Sequence, residues 1–240
     1  MHLLAPEVLD NYNRAFDVEY THHSTAIEGN TLTLMETKVL LEDEVSIGGK
    51  SIREIYEVVN HNRAFQFIKQ CIKESKPLDE GIIKDIHEML MDNIMQGGIY
   101  RQVDVYISGA QHTPPSPQKA YEQIKDFFAT LPEKTSLHPI ELAAYTHAEF
   151  VRVHPFVDGN GRTARLLMNY QLMSGGYLPV IVKKEDRLSY FQCLEQYAVE
   201  NDLSSFADFV CQLENSRLDF FIANLQTSYE YLEEEAELEQ

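Results

Sequence analysis

The chain has 240 residues, 44% of them hydrophobic, with 38 acidic against 20 basic side chains, a formal net charge of −18 and a pI of about 4.8. That balance argues against general binding to nucleic acid or anionic membrane, and no apolar run approaches the roughly 20 residues of a membrane span. Cys71, Cys193 and Cys211 lie far apart with no CxxC pair, and MHLLAPEVLDNYNRAF has no signal-peptide character, so a cytoplasmic, reduced protein is expected.

In chain order, STAIEGN (Ser24–Asn30) reads as the end of a helix stopping at Gly29, with Glu28 as its last charge. Apolar residues at the helical period predict a helix over Thr33–Glu44. A long amphipathic stripe follows, formed by Ile52, Ile55, Tyr56, Val59, Ala64, Phe65 and Ile68. A second stripe, Ile82 to Ile94, starts after an expected Asp79 N-cap. GGIYRQVDVYISG changes period: Val103, Val105 and Ile107 alternate, which predicts a β-hairpin over Gln102–Gln111, closed by the TPPSP segment. Helices are then expected over Pro117–Leu131, Pro139–Val153, Arg162–Ser174 (stopped by Gly175-Gly176), Leu188–Glu200 and Leu203–Glu234, the last with Ser204 as N-cap. The acidic YLEEEAELEQ reads as a solvated helix end. His22, His23 and His147 lack partners at metal spacing and read as packing or surface residues. No linker divides the chain, so the fold class expected is all-α, one helical domain carrying a short hairpin.

The chemistry concentrates in HPFVDGNGRTAR, His154–Arg165. Pro155 ends one helix and a new one starts near Asn160, so the segment is a loop running into a helix N-terminus. Such ends expose unpaired N–H groups and partial positive charge. Gly159 and Gly161 allow close backbone approach, which together makes an anion nest for phosphates. Asp158 at its mouth suits Mg2+ (or Mn2+), an ion that takes its other ligands from phosphate and water. Arg162 and Arg165, three apart, fork onto phosphate oxygens, Asn160 offers an amide, and His154 suits a general base.

The pattern H-x-F-x-D-G-N-G-R-x-x-R resembles the signature of the Fic family at every defining position. Asn60 and Ala64, the GGIYR entry and the TPPSP exit resemble further family landmarks, covering roughly residues 24–210. The resemblance implies a Fic-fold helical bundle with a hairpin flap in a single domain over 1–240: an N-terminal region with an inhibitory helix (1–35), a core (50–210), and a C-terminal helix with an acidic tail (211–240). It implies a protein adenylyltransferase that moves AMP from ATP to a Ser, Thr or Tyr hydroxyl of a target protein. His154 would be the base, and Asp158 the Mg2+ ligand. Gly159, Asn160, Gly161, Arg162 and Arg165 would form the phosphate site, with Tyr190 and Phe191 on the adenine side. Val103, Val105 and Ile107 would form the flap that docks the target by strand addition. Family members often pair through helices, which extends to a homodimer here. The competing readings are a nucleotide-binding, toxin-like module without transfer activity, and a Doc-type phosphotransferase; intact His154 disfavours the first, and Gly159 with Arg162 the second.

Ser24, Glu28 and Gly29 match the family's inhibitory motif, which implies that Glu28 occupies Arg165 and also assists removal of AMP from modified protein. Holding about 99% of molecules inhibited takes roughly 2.7 kcal/mol. An exposed ion pair contributes under about 1 kcal/mol, whereas breaking a buried one costs roughly 3–5 kcal/mol, so both partners are expected to be buried.

Overall fold

Helix α7 (Asn160–Ser174) is buried on nearly every side, from Arg162 through Tyr170 without interruption. A helix covered all round lies at the centre of its bundle, and the remaining elements are arranged about it. The computed structural model describes the backbone of residues 6–134 and 136–238 and the side chains of residues 8–134 and 136–226. Along the chain run α1 (Pro6–Ala26), α2 (Leu34–Glu42), α3 (Ile52–Lys73), α4 (Glu80–Met91), α5 (Pro117–Thr130), α6 (Pro139–Val153), α7, α8 (Arg187–Glu200) and α9 (Ser204–Leu238). Helix α6 lies along α7; α1, α3 and α4 also contact α7, while α5, α8 and α9 pack on α6. One apolar core, including Phe65, Ile83, Leu90, Phe150, Phe156 and Tyr170, fills one side of this central pair. A second, including Ile27, Met168, Leu172, Tyr190 and Phe206, fills the other.

Local chemistry explains most boundaries. Thr33 with Glu36 and Ser51 with Glu54 form capping boxes at α2 and α3, and Asp79 Oδ1 accepts the Ile82 N–H at α4 as the sequence predicts. Ser204 is not the cap of α9: its own N–H donates to Asp202 Oδ1, 3.0 Å, so the aspartate two residues upstream satisfies that end. Helix α1 stops at Ala26, not Gly29. The Asn30 N–H turns back to the Thr25 carbonyl (3.2 Å) and Gly29 takes φ +101°, so Glu28 sits in the closing turn rather than in the helix.

The hairpin expected over Gln102–Gln111 is absent: no strand forms among the described residues. The alternation survives as burial only in part: Val105 and Ile107 are half-buried and Asp104, Tyr106 and Ser108 exposed, but Val103 is exposed as well. Period two reports an extended chain over a packed surface; a ladder also needs a partner edge, and the Pro114-Pro115 pair removes two donors from the returning arm. That arm is fixed through side chains. Glu195 Oε1 accepts the N–H groups of Gln111 and His112, each at 2.7 Å, and the His112 ring meets the Arg152 carbonyl at 2.9 Å. Among the described residues no helix is long and apolar enough to cross a membrane. The acidic run 231–240 lies outside the residues whose side chains are described.

Candidate active site

The loop between α6 and α7 is shaped by its own residues. His154 closes α6 in the left-handed region, φ 52°, donating its N–H to the Phe150 carbonyl. Asn160 then ties the loop shut: its Oδ1 accepts the Phe156 N–H and its Nδ2 donates to the Phe156 carbonyl, both 2.9 Å. The amide expected to reach a ligand thus gives its oxygen and one N–H to loop geometry, and Asn160 is almost fully buried. Gly159 takes φ +77°, and a side chain there would strike Met91 and His87. His87 braces the same point from α4. Its ring stacks on Phe156 with centroids 3.6 Å apart, its Nε2 meets the Asp158 carbonyl at 2.9 Å, and its Nδ1 accepts the Gly98 N–H at 2.9 Å. These bonds fix the proton on Nε2. Burial pulls the His87 pKa to about 4, and the Asp158 contact only partly offsets it, so the ring stays neutral near pH 7.

Charge is arranged around that loop as a ring. Asp158 Oδ2 accepts from Arg53 Nη2 at 2.5 Å, and Oδ1 accepts from the Gly159 N–H at 2.6 Å and Arg162 Nη2 at 3.3 Å. Glu57 Oε1 accepts from Arg53 Nε and lies 3.6 Å from Arg162 Nη1, closing the circuit. Burial pushes the Asp158 carboxyl up, but Arg162, the Gly159 N–H and Arg53 outweigh it and hold the pKa below the ordinary value. Arg162 is 2% exposed, yet its Nε and Nη1 have no hydrogen-bond partner among the described residues. Buried donors left unpaired are costly, and two of them on a guanidinium beside a helix N-terminus mark a place for anionic oxygens.

Arg165, one helical turn further on, is fully engaged. Its Nη2 donates to Glu28 Oε1 at 2.9 Å and to the Ser24 carbonyl at 2.6 Å, its Nε to Ser24 Oγ at 2.9 Å, and its Nη1 to the Tyr190 hydroxyl at 3.3 Å. Burial works against the Arg165 charge, but Tyr190 and Glu28 overcome it and raise the pKa. The expected pairing of Glu28 with Arg165 is present, but not the expected burial of both: the Arg165 side chain is 1% exposed and that of Glu28 is 36%. The turn after α1 brings the Glu28 carboxylate over Gly161, where any Cβ would collide with Oε1. The acid thus lies against the first turn of α7 as well as on the arginine.

His154 is mostly enclosed, with Nδ1 3.3 Å from the Val151 carbonyl. Because a carbonyl only accepts, Nδ1 carries the proton and Nε2 keeps the lone pair. Burial pulls the pKa to about 4, partly offset by that bond, and the Arg101 charge pulls in the same direction as burial. Tyr190 is buried beneath Arg165, with its hydroxyl also 2.9 Å from the His147 ring, so of the two aromatics expected at the adenine side only Phe191, 40% exposed, has open surface. Val103 is exposed at the entry of the extended segment. Sequence reasoning left out Arg53, Glu57 and His87 and read Arg101 only as a landmark. An Arg53–Glu57 spacing of four looks like an ordinary surface pair, and nothing local announces that Arg53 reaches Asp158.

The central part of the chain, residues 77–172, matches the Fic/DOC family model. A Fic domain protein from Bacteroides thetaiotaomicron is 31% identical, superposes with a TM-score of 0.79, and is covered over 90% of its own chain by 94% of this one. The chain belongs to the Fic/DOC family. Fic-1 (residues 134–508) from C. elegans is 35% identical with a TM-score of 0.86, over 95% of this chain and 68% of that one. Protein adenylyltransferase Fic from Nematostella vectensis is 38% identical over 211 residues, 86% of this chain and 49% of the relative; its namesake from Drosophila persimilis is 36% identical over 208 residues, 85% and 40%. The chain thus spans about half the length or less of these relatives. As a Fic/DOC protein it has the family's all-helical bundle; the flap segment lacks the expected ladder.

Proposed function

We propose that this Fic/DOC chain is a protein adenylyltransferase that moves AMP from ATP to a Ser, Thr or Tyr hydroxyl of a target protein and is held inactive by Glu28. The observation that carries the reading is the buried Arg162 guanidinium at the α7 N-terminus, whose Nε and Nη1 make no hydrogen bond among the described residues (Nη1 has only the 3.6 Å ion pair with Glu57), on the same loop-to-helix joint as a neutral His154. Phosphate oxygens satisfy the arginine and the helix end, and His154 Nε2 takes the proton from the attacking hydroxyl. The hydroxyl oxygen bonds to the α-phosphorus, the bridge between the α- and β-phosphates breaks, and pyrophosphate leaves. The extended segment carrying Val103, Val105 and Ile107 supplies an unpaired backbone edge for the target. Relatives named protein adenylyltransferase support the same assignment. The proposal includes hydrolytic removal of AMP from modified protein: a water oxygen bonds to the phosphorus, the bond to the side-chain oxygen breaks, AMP leaves and the side chain regains its proton, with the Glu28 carboxylate, which lies against Gly161 at the α7 N-terminus, orienting the water.

The donor set fits one hard divalent cation. Asp158 is a lone carboxylate, and among the described residues no cluster of three metal-ligating side chains exists, as suits Mg2+ held mainly by phosphate and water. Its Oδ2 already carries the cationic Arg53 Nη2, an exposed side chain free to withdraw. Asp158 would hold the Mg2+ (or Mn2+), which neutralises charge on the phosphates when bound. Arg53 competes for that carboxylate. Arg53→Ala is therefore expected to lower the Mg2+ concentration for half-maximal transfer about threefold, the worth of one exposed ion pair. A Mg2+ titration at fixed ATP checks this, and an unchanged midpoint contradicts it.

The reaction class is tested by incubating Glu28→Gly protein and a cell extract with ATP labelled at the α- or the γ-phosphate. Label on protein from α-labelled ATP alone is expected. Label from γ-labelled ATP would make it a phosphotransferase, and no label from either would leave a nucleotide-binding module.

A further inference from the structure

Arg101 is a buried cation with an unusual set of partners. The residue is 2% exposed and, among the described residues, makes no ion pair. Its guanidinium collects three neutral carbonyls from three separate segments: Nε donates to His154 O at 2.8 Å, Nη1 to Val103 O at 2.9 Å, and Nη2 to Pro115 O. Its own N–H donates to Pro155 O at 2.9 Å. Burial pulls its pKa down, and Asp104 offsets this only in part. A charge taken out of water without a close counter-ion is costly, so its retention points to a task that a neutral side chain cannot perform.

The geometry identifies that task. Val103 and Pro115 stand at the bases of the two arms of the extended segment, which no backbone ladder joins. Arg101 joins them instead, and the same planar fork grips the main chain of His154. That residue has a left-handed φ of 52°, sparsely populated for anything but glycine and maintained only where the surroundings over-determine it. The carbonyl bond from Arg101 and the adjacent bond at Pro155 are such constraints. A lysine places one point charge here and cannot hold three acceptors in one plane. None of the Arg101 contacts involves Asp158, Gly161, Arg162 or Arg165.

We propose that Arg101 is a positioning residue for the acceptor side of the reaction: it fixes the two flap arms against the main chain of His154, so that a hydroxyl presented along the flap arrives in register with the imidazole. The proposal rests on the transferase reading above. It divides the site into two halves, a phosphate half built on α7 and α3 and an acceptor half built on Arg101, and it predicts that the two fail separately.

The test uses the full chain carrying Glu28→Gly, α-labelled ATP, and a tagged His154→Ala copy as acceptor. In Arg101→Lys and Arg101→Gln, kcat is expected to fall roughly tenfold, part of the loss that a 1 Å misplacement produces, while KM for ATP stays within about twofold. In Arg101→Gly, millimolar methylguanidinium is expected to recover about half of the lost rate, because a free guanidinium refills the fork. A merely structural role moves both constants together and is not rescued. The proposal is overturned if kcat stays near that of the parent, or if KM for ATP rises in step with the lost rate in both variants. If the Glu28→Gly parent with Arg101 intact labels neither this acceptor nor any protein of a cell extract, the transferase reading fails first and takes this proposal with it; if it labels extract proteins only, the extract replaces the copy as acceptor; if the parent is active and only the split is missing, this proposal alone fails.

Discussion

Replacing Glu28 with glycine is expected to raise the rate of AMP transfer roughly 30-fold, a figure set by how exposed the acid is. Arg165 is sealed from solvent while about a third of the Glu28 side chain is open, so their 2.9 Å contact ranks with partly exposed pairs and contributes about 1 kcal/mol. The carboxylate also rests on the first turn of α7 at Gly161, where an anion gains about 1 kcal/mol from the helix end. Together these give about 2 kcal/mol, or a factor near 30, short of the 99% occupancy that two buried partners would provide. The gain is not offset by a loosened arginine. Ser24 Oγ, the Ser24 carbonyl and the Tyr190 hydroxyl continue to hold the Arg165 guanidinium, with Nη2 still bonded to the Ser24 carbonyl, and only the Nη2 N–H that had met Glu28 is freed for a phosphate oxygen. Ser24→Ala should therefore not activate the protein, and Glu28→Gln, which keeps an oxygen acceptor but no charge, should fall between parent and glycine variant. Initial rates of α-label incorporation at saturating ATP check the series. Equal rates for parent and Glu28→Gly would remove Glu28 from the inhibitory role.

What could be read in advance depended on how far apart the cooperating residues lie in the chain. His154, Asp158, Gly159, Gly161 and Arg162 share one loop-to-helix joint, so their grouping is legible in their types and spacing. Asn160 belongs to the same stretch, but its loop-closing bonds to Phe156 were not legible, because a polar side chain at a helix start looks the same whether it faces a ligand or ties its own loop. Glu28 and Arg165 are 137 positions apart, and only family resemblance joined them before the coordinates did. Arg53 reaches Asp158 across 105 positions, and no local pattern records that path. The alternation of Val103, Val105 and Ile107 holds for Val105 and Ile107, which turn partly inward, but not for Val103, which is exposed, and no strand pairing accompanies it, since periodicity does not encode the presence of a neighbouring strand. Helix boundaries at α4, α6 and α7 followed from Asp79, Pro155 and Gly175-Gly176, each acting on the residues next to it.

Truncating His154 to alanine in the Glu28→Gly protein is expected to cost on the order of 10²–10³ in transfer rate with ATP affinity unchanged, the lower part of the range for a lost general base. The lower part applies because a ring with a pKa of about 4 is a weak base, and its advantage lies mainly in where Nε2 is held. The bond from Nδ1 to the Val151 carbonyl fixes the tautomer, and the left-handed turn at His154 fixes the ring on its loop. ATP affinity is spared because the phosphate half, Arg162 and Arg165 on α7, makes no contact with the imidazole. The pH dependence follows with a definite sign. A base acts when unprotonated, and burial has moved protonation down from the ordinary 6.5 to about 4, so the rate should stay level from pH 8 to about pH 5.5 and fall only as pH drops toward 4. A profile of kcat/KM measured across that window distinguishes the cases. An inflection near 6.5 lost in His154→Ala would mean that the ring is solvated when it acts, and that the enclosed imidazole seen here is not the reactive arrangement.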